Sequence, residues 1–357
     1  MTAVQSRPAA RSAAPSATAL AVAASRRRRG ARRRTVVGVL VALLVVVFAV
    51  SLIVGQTIYS PAEVVRVILG EQVPGASFTV GRLRLPRAIL GVLVGLCFGL
   101  GGVAFQTMLR NPLASPDIIG ISAGASAAAA FAIVTLSLGA TQVSVLAIAA
   151  GLLVALVVYA LSYRSGVAGT RLILIGIGVA AMLDSLVSYV LSRAATWDLQ
   201  VAMQWLTGSI NGATWARVAP VLIAAAVLVP VLLLHERYLG VLRLGDDSAS
   251  ALGVRVQRTR IVLIVSAVAL LAFATAASGP IAFVAFMAGP IAARIVGPGA
   301  SLALPSGLIG ALLVLVADLA GQFAFDNRYP VGVITGVLGA PFLVYLLIRS
   351  NRSGGSI

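Results

Sequence analysis

Few side chains in this sequence are equipped for chemistry, and their places narrow what that chemistry is. One polar stretch, ERYLGVLRLGDDSASALGVRVQRTR (236–260), stands between long apolar runs and so lies in water at a membrane face. Asp246 and Asp247 follow Gly245, where carboxylates can cap a helix start and oppose its positive end. Ala249 and Leu252 fall three apart on one face, and Gly253 supplies a C-terminal stop. The spacing predicts a short capped helix with a small apolar stripe, suited either to docking on another protein or to lying on lipid headgroups. Two other carboxylates, Asp184 and Asp318, lie well inside apolar runs, where ionisable groups are functional candidates. A proton- or sodium-coupled carrier would want such groups paired, or facing an Arg or His. Neither Asp has a basic residue within one helical turn.

Metal, redox and nucleotide chemistry find less support. The single histidine, His235, and single cysteine, Cys97, do not make a His/Cys metal site, and one cysteine cannot form an internal disulfide. All 27 basic residues are arginine, so the lysine that a P-loop needs to reach phosphates is missing. If transport runs on ATP, another subunit must bind it. No cofactor is implied, and no nucleophile–base pair suggests an intramembrane enzyme.

These residues are carried by a chain of 357 residues that is 60% apolar and 10% charged, with a mean hydropathy of +1.04. A soluble domain would carry roughly 25% charged residues. Apolar runs predict an all-α polytopic membrane protein with ten spans, at 36–58, 87–108, 118–138, 143–161, 172–191, 218–234, 261–277, 281–295, 302–325 and 331–348. With the N-terminus inside, 20 of the 27 arginines fall on the cytoplasmic side, and an even count puts both termini there. The net charge of +17 is therefore read as membrane orientation and attraction to anionic lipid, not as nucleic-acid binding.

Residues 1–35 read as a disordered, Arg-rich cytoplasmic extension, 36–350 as the membrane domain and 351–357 as a short cytoplasmic tail. Ser60-Pro61-Ala62-Glu63 has the form of a capped helix start, and Val201–Gly208 predicts a second short helix outside the membrane, bearing Trp205. The eighth span is interrupted at Gly289-Pro290, as helices beside transport paths often are. Gly95/Gly99 and Gly332/Gly336 permit close helix approach within the chain.

Several separated motifs also carry a resemblance. They are GRLRLPR (81–87), FQTMLRNPLASPDIIGISAGA (105–125), MQWLTGSINGATW (203–215), LGDDSASALGV (244–254), GPIAFVAFMAGPIAAR (279–294) and YPVGVITGVLGAPF (329–342). In this order they resemble the FecCD family, permease subunits of ABC importers for ferric siderophores, haem and cobalamin. The resemblance covers about residues 36–350. It implies a type II ABC importer permease in the bacterial cytoplasmic membrane, paired with an identical or paralogous permease. Two cytoplasmic ATPase subunits and an extracytoplasmic substrate-binding protein complete the implied assembly. The cargo implied first is a ferric siderophore, with cobalamin or haem as alternatives and a proton-coupled carrier as the rival class.

By the same resemblance 242–256 looks like the coupling helices, placing Leu244, Gly245, Asp246, Asp247, Ala249, Leu252 and Gly253 against the ATPase. Arg84 and Arg87 match a motif that faces acidic residues of the binding protein; read alone, they could equally be headgroup anchors. Arg328 stands in for an arginine that many members place near the outer end of the ninth span, where this chain has Gln322. A second departure is Pro290-Ile291, where many members have Pro-His. Gly169 and Thr170, in the loop 167–171, resemble a cytoplasmic gate. Ser185, Ser188, Asn327 and Thr335 are the expected polar, uncharged wall of the path.

Overall fold

The computed structural model describes residues 17–116, 120–162, 169–242, 244–297 and 301–352; residues 1–16 and 353–357 of the expected termini lie outside it. All regular structure among the described residues is helical. In order the helices are α1 (Ala17–Ile53), α2 (Pro61–Ile68) and α3 (Ala76–Phe78), the last leading through a π-helical turn at Thr79–Arg84 into α4 (Leu85–Met108). Next come α5 (Ile121–Val134), α6 (Ala140–Ser162), α7 (Gly169–Ser192), α8 (Thr196–Leu206), α9 (Trp215–Leu234), α10 (Glu236–Leu242) and α11 (Asp246–Ala251). The last four are α12 (Val256–Ser278), α13 (Val284–Val296), α14 (Ala303–Phe323) and α15 (Val331–Arg352). Eight described helices are long and apolar enough to cross a membrane, and the two shorter apolar ones, α5 and α13, fall at the third and eighth expected spans.

Where a disordered extension to residue 35 is expected, α1 is already helical from Ala17. Alanine and arginine are both strong helix formers, and the membrane-spanning half supplies the nucleus from which the turn-by-turn hydrogen bonds propagate. The two short helices outside the spans follow their local signals more closely. Ser60 accepts from the Glu63 N–H while Glu63 accepts from the Ser60 N–H, so α2 starts with the expected capping box. The Ser60 N–H and the Ser60 hydroxyl both donate to the Glu63 carboxylate, and these two hydrogen bonds, backbone first and hydroxyl second, hold it below its ordinary range.

At the centre stands α4, buried on nearly every face and packed by α9, α12, α13 and α14. A helix apolar all round belongs in such a position. Its glycines decide how close the neighbours come. A Cβ on Gly95 would collide with the Gly310 carbonyl of α14, one on Gly99 with the Ser306 carbonyl, and one on Gly102 with the Ala285 carbonyl of α13. Backbones therefore touch directly, and the dispersion contacts of two whole helices are gained along one line. Gly332 is used in the same way, against the Thr207 carbonyl, whereas Gly336 has open space around it.

The break in the eighth span does not interrupt α13. Pro290 has no N–H to give to the Phe286 carbonyl one turn back, and that carbonyl is buried. The Gln106 side chain of α4 supplies the donor instead, with Nε2 at 3.0 Å, in the space that Gly289 leaves open. In lipid such a repair is required rather than optional.

Gly310→Val is expected to destabilise the chain by about 1–3 kcal/mol or more, because its side chain has only backbone to displace. Gly336→Ala should be neutral. Thermal unfolding of the two variants in detergent checks both, and equal melting temperatures would refute the backbone-contact account of α4 and α14.

Candidate functional site

Four of the elements meet at one face: the beginning of α1, the helices α10 and α11, and the start of α14. The opposite face carries the end of α1, α2, the start of α4, α8 and the end of α14. The Arg294 guanidinium at the end of α13 lies 5.1 Å from the Tyr345 ring, which brings the last turns of α15 to the α11 face as well. Both described ends of the chain thus share a face with α10 and α11.

The six-residue helix α11 is built differently at its two ends. It is entered through Gly245 at φ +106°, and neither aspartate caps it with a side-chain hydrogen bond, contrary to the expectation. Asp246 instead accepts from Arg110 Nη2 at 2.7 Å and Arg260 Nη2 at 3.1 Å, which ties α11 to the end of α4 and to α12. Arg110 also donates from Nε to the Leu242 carbonyl at the end of α10. At the far end Gly253, at φ +81°, closes the helix as read from the sequence. Its N–H bonds the Ser250 carbonyl and the Val254 N–H the Ala249 carbonyl, the paired closure that a left-handed residue permits.

The expected apolar stripe is divided. Ala249 is fully buried in the main core, whereas Leu252 is 64% exposed. Residues three apart are about 60° from one another around a helix, and Leu252 has already left helical geometry at ψ 9°. The knob presents Leu244, Asp247, Ser248, Ser250 and Leu252 outward, and Asp246 is exposed beside them but engaged by Arg110 and Arg260.

On the opposite face the two arginines of RLPR serve the chain itself. Arg84 donates to the Leu52 and Ile53 carbonyls at 2.9 Å each and to the Thr57 carbonyl at 2.6 Å, satisfying acceptors that the end of α1 leaves open. Gly55 makes room for that guanidinium, and the Tyr59 ring lies 5.1 Å from it. Arg87 forms a two-pronged pair with Asp318 of α14, Nε to Oδ2 at 2.9 Å and Nη2 to Oδ1 at 2.8 Å. Its third nitrogen reaches Asn211 Oδ1 at 2.7 Å, and Gln322 donates to Asp318 at 2.8 Å. The carboxylate is nearly buried and the guanidinium largely so. Within-helix spacing could not reveal this pairing, because the partners are 231 residues apart. The one usable signal was that Arg87 opens the second span while Asp318 lies in the outer half of the ninth, toward the same side.

The remaining expected residues are scattered. Ser185 and Ser188 lie on the exposed face of α7 with Asp184, each hydroxyl donating to a carbonyl one turn back. Asn327 and Arg328 are exposed between α14 and α15, and Arg328 makes no ion pair among the described residues. Thr335, expected on the path wall, is 1% exposed and donates to the Gly332 carbonyl. The close approach of Gly332 to the Thr207 and Gly208 carbonyls pulls that side of α15 into the chain. Gly169 and Thr170 fall in the first turn of α7, while Val167 and Ala168 of the gate loop lie outside the described residues.

Comparison with known proteins agrees on one class. The chain matches the FecCD transport family over residues 43–349. It is 42% identical over 314 residues to the achromobactin transport system permease protein of Dickeya dadantii, covering 87% of this chain and 90% of that one. It is 39% identical to the ferric enterobactin transport system permease protein of Escherichia coli, covering 84% and 91%. Identity to the iron(3+)-hydroxamate import system permease protein of Bacillus subtilis is 36%, covering 87% and 95%. A solved metal-chelate type ABC transporter in an inward-facing conformation superposes with a TM-score of 0.77 at 27% identity, covering 88% of this chain and 99% of that one.

Removing one partner of the Arg87–Asp318 pair leaves a buried charge uncompensated. Arg87→Leu should cost about 3–5 kcal/mol of stability, while Arg87→Leu/Asp318→Leu should recover much of that loss. Melting of the single and double variants in detergent tests the pairing. A double variant no more stable than the single one would show that the two groups do not act together.

Proposed function

The chain belongs to the FecCD transport family, and from that premise we propose that it is the membrane permease of an ATP-driven importer for a ferric siderophore. The observation that carries the cargo class is that two of the relatives above, each matched over most of its length, are named for ferric enterobactin transport and iron(3+)-hydroxamate import. Iron that travels inside a chelate needs no protein ligands, so a wall of hydroxyls and amides suffices. The chain is not itself an enzyme; ATP is hydrolysed by separate subunits, in keeping with the missing P-loop lysine.

In this proposal the α11 face is cytoplasmic, following the arginine bias, and both termini are inside. The ATPase receives the knob through Leu244 and Leu252 as apolar anchors, with Asp247 beside them. Asp246 through its ion pairs, Ala249 through its burial, and Gly245 and Gly253 through their backbone shape the knob. A second permease, identical or paralogous, covers the exposed side of α7, whose Leu174, Ile177, Met182 and Tyr189 are open in the single chain. Ser185, Ser188 and Asn327 then line the path, and Gly169 and Thr170 stand at its cytoplasmic gate.

Binding-protein docking is assigned first to Arg328 and to the exposed Arg82, whose forks are open to carboxylates. Arg84 and Arg87 contribute by holding the rim in shape. ATP-bound and empty ATPases that contact the knob differently would shift the bundle between outward and inward states.

Reconstitution with the ATPase and binding protein tests the whole reading. Ferric siderophore should enter vesicles only with ATP and continue to enter after the proton gradient is collapsed. Entry driven by the gradient alone would restore the carrier reading, and preferred entry of cobalamin or haem would change the cargo. On the knob, Leu252→Asp should weaken ATPase capture by about tenfold or more with unchanged melting, since a charge at a buried contact centre is costly. Asp246→Ala should lower both capture and melting temperature, because it releases Arg110 and Arg260. Undiminished capture by Leu252→Asp would remove that residue from the interface.

A further inference from the structure

The arginine-rich beginning of α1 is fixed to the rest of the chain by two of its side chains. Arg32 donates from Nε at 3.2 Å and Nη2 at 3.0 Å to the Ile295 carbonyl, in the last turn of α13. Arg33 donates from Nη2 to Ser301 Oγ at 3.0 Å and stands 3.5 Å from Glu236 Oε2. The other oxygen of Glu236 accepts the Ala303 N–H at 2.8 Å. Glu236 opens α10 and Ala303 opens α14, so one carboxylate joins α1, α10 and α14. It also lies where an anion is favoured, at the positive end of α14.

That tie crosses open space. A cavity of about 940 Å³ lies between α10 and the start of α14, lined by Thr107, Glu236, Leu239, Leu244, Ser301 and Leu302 among others. Leu239 and Leu242 bury the inner side of α10 in the main core, and the cavity opens between the rest of α10 and the start of α14. Glu236 is the hydrogen-bonded bridge there. Among the described residues Arg33 Nε is buried without a hydrogen-bond partner, and Nη2 makes the contacts to Ser301 and Glu236. A group satisfied so incompletely can change partners without dismantling a closed network.

We infer that Arg33 and Glu236 are positioning residues for coupling: through them the N-terminal arm sets where α10, and with it α11, sits relative to α14. This rests on α10 and α11 being the segment that receives the ATPase. The arm is then part of the transmission between nucleotide hydrolysis and the bundle, beyond its attraction to lipid. Movement of α11 would be passed to α14 through Glu236, and Arg33 would bias its resting position.

Two measurements test this. In the full chain in zwitterionic nanodiscs, spin labels at Gly30→Cys and Gly240→Cys report the distance between α1 and α10; both sites are exposed, and Cys97 is fully buried. Arg33→Ala and Glu236→Gln should each broaden that distance distribution. In the reconstituted complex, the same variants should lower cargo imported per ATP by about three- to tenfold with the subunits still assembled. Arg33→Lys should retain most coupling.

An unchanged distance distribution overturns the inference. So does an unchanged import-to-ATP ratio. Loss of coupling that appears only in anionic vesicles also overturns it, in favour of a lipid anchor. A parent complex that imports nothing counts against the functional proposal alone, and the label distances then decide the tie.

Discussion

A backbone carbonyl or N–H left without a partner in hydrocarbon costs several kcal/mol, and this constraint organises the polar side chains of the protein. At several helix breaks and ends, a side chain from another element arrives to complete the hydrogen bonding. Gln106 reaches the Phe286 carbonyl that Pro290 leaves open. Arg84 covers three carbonyls at the end of α1, Arg32 covers one at the end of α13, and Glu236 takes the first N–H of α14. These contacts connect helices as well as satisfy them. The bundle therefore needs few polar groups in its interior, and those few are structural before they are anything else.

The same accounting separates the arginines by role. Arg84, Arg87, Arg110 and Arg260 each have a partner within the chain, and Arg87 with Asp318 closes a network that includes Asn211 and Gln322. Such a pair is maintained by mutual compensation, because either charge alone would be poorly solvated there. Asp318 thus has the basic partner that a coupled carrier would want, yet its hydrogen bonds go to fixed neighbours. Arg82 and Arg328 remain open at the same face. Charge pairing within the bundle and charge presented outward are consequently divided between different residues of nearly the same motif.

What is left exposed is also informative. The central helix α4 is enclosed, whereas α7 shows large apolar side chains and two hydroxyls on one side, and the knob shows two leucines in water. Exposed apolar surface on α7 is acceptable against lipid, but Leu244 and Leu252 lie in a polar connecting segment where lipid tails do not reach. A permease that completes its path and its energy supply through other chains accounts for both surfaces. The arm of α1 adds a tie between the knob and α14 on the side where an open cavity would otherwise separate them.

The positions of the ten apolar segments, the capping box of α2 and the glycine closure of α11 were legible in the residues themselves. Each depends on composition over one span or on hydrogen bonds between residues a turn apart. The lack of a nucleotide-binding lysine was equally plain. The destinations of Arg84, Arg87 and Gln106 were not legible, nor was the difference between Gly332 and Gly336. Those outcomes depend on which helices become neighbours and at what rotation, and close packing of whole helix surfaces settles that. Even the division between Ala249 and Leu252 depends on which side of α11 meets the core and on Leu252 leaving helical geometry. Local hydrogen bonding is written along the chain, whereas partners hundreds of residues apart exist only once the bundle has assembled.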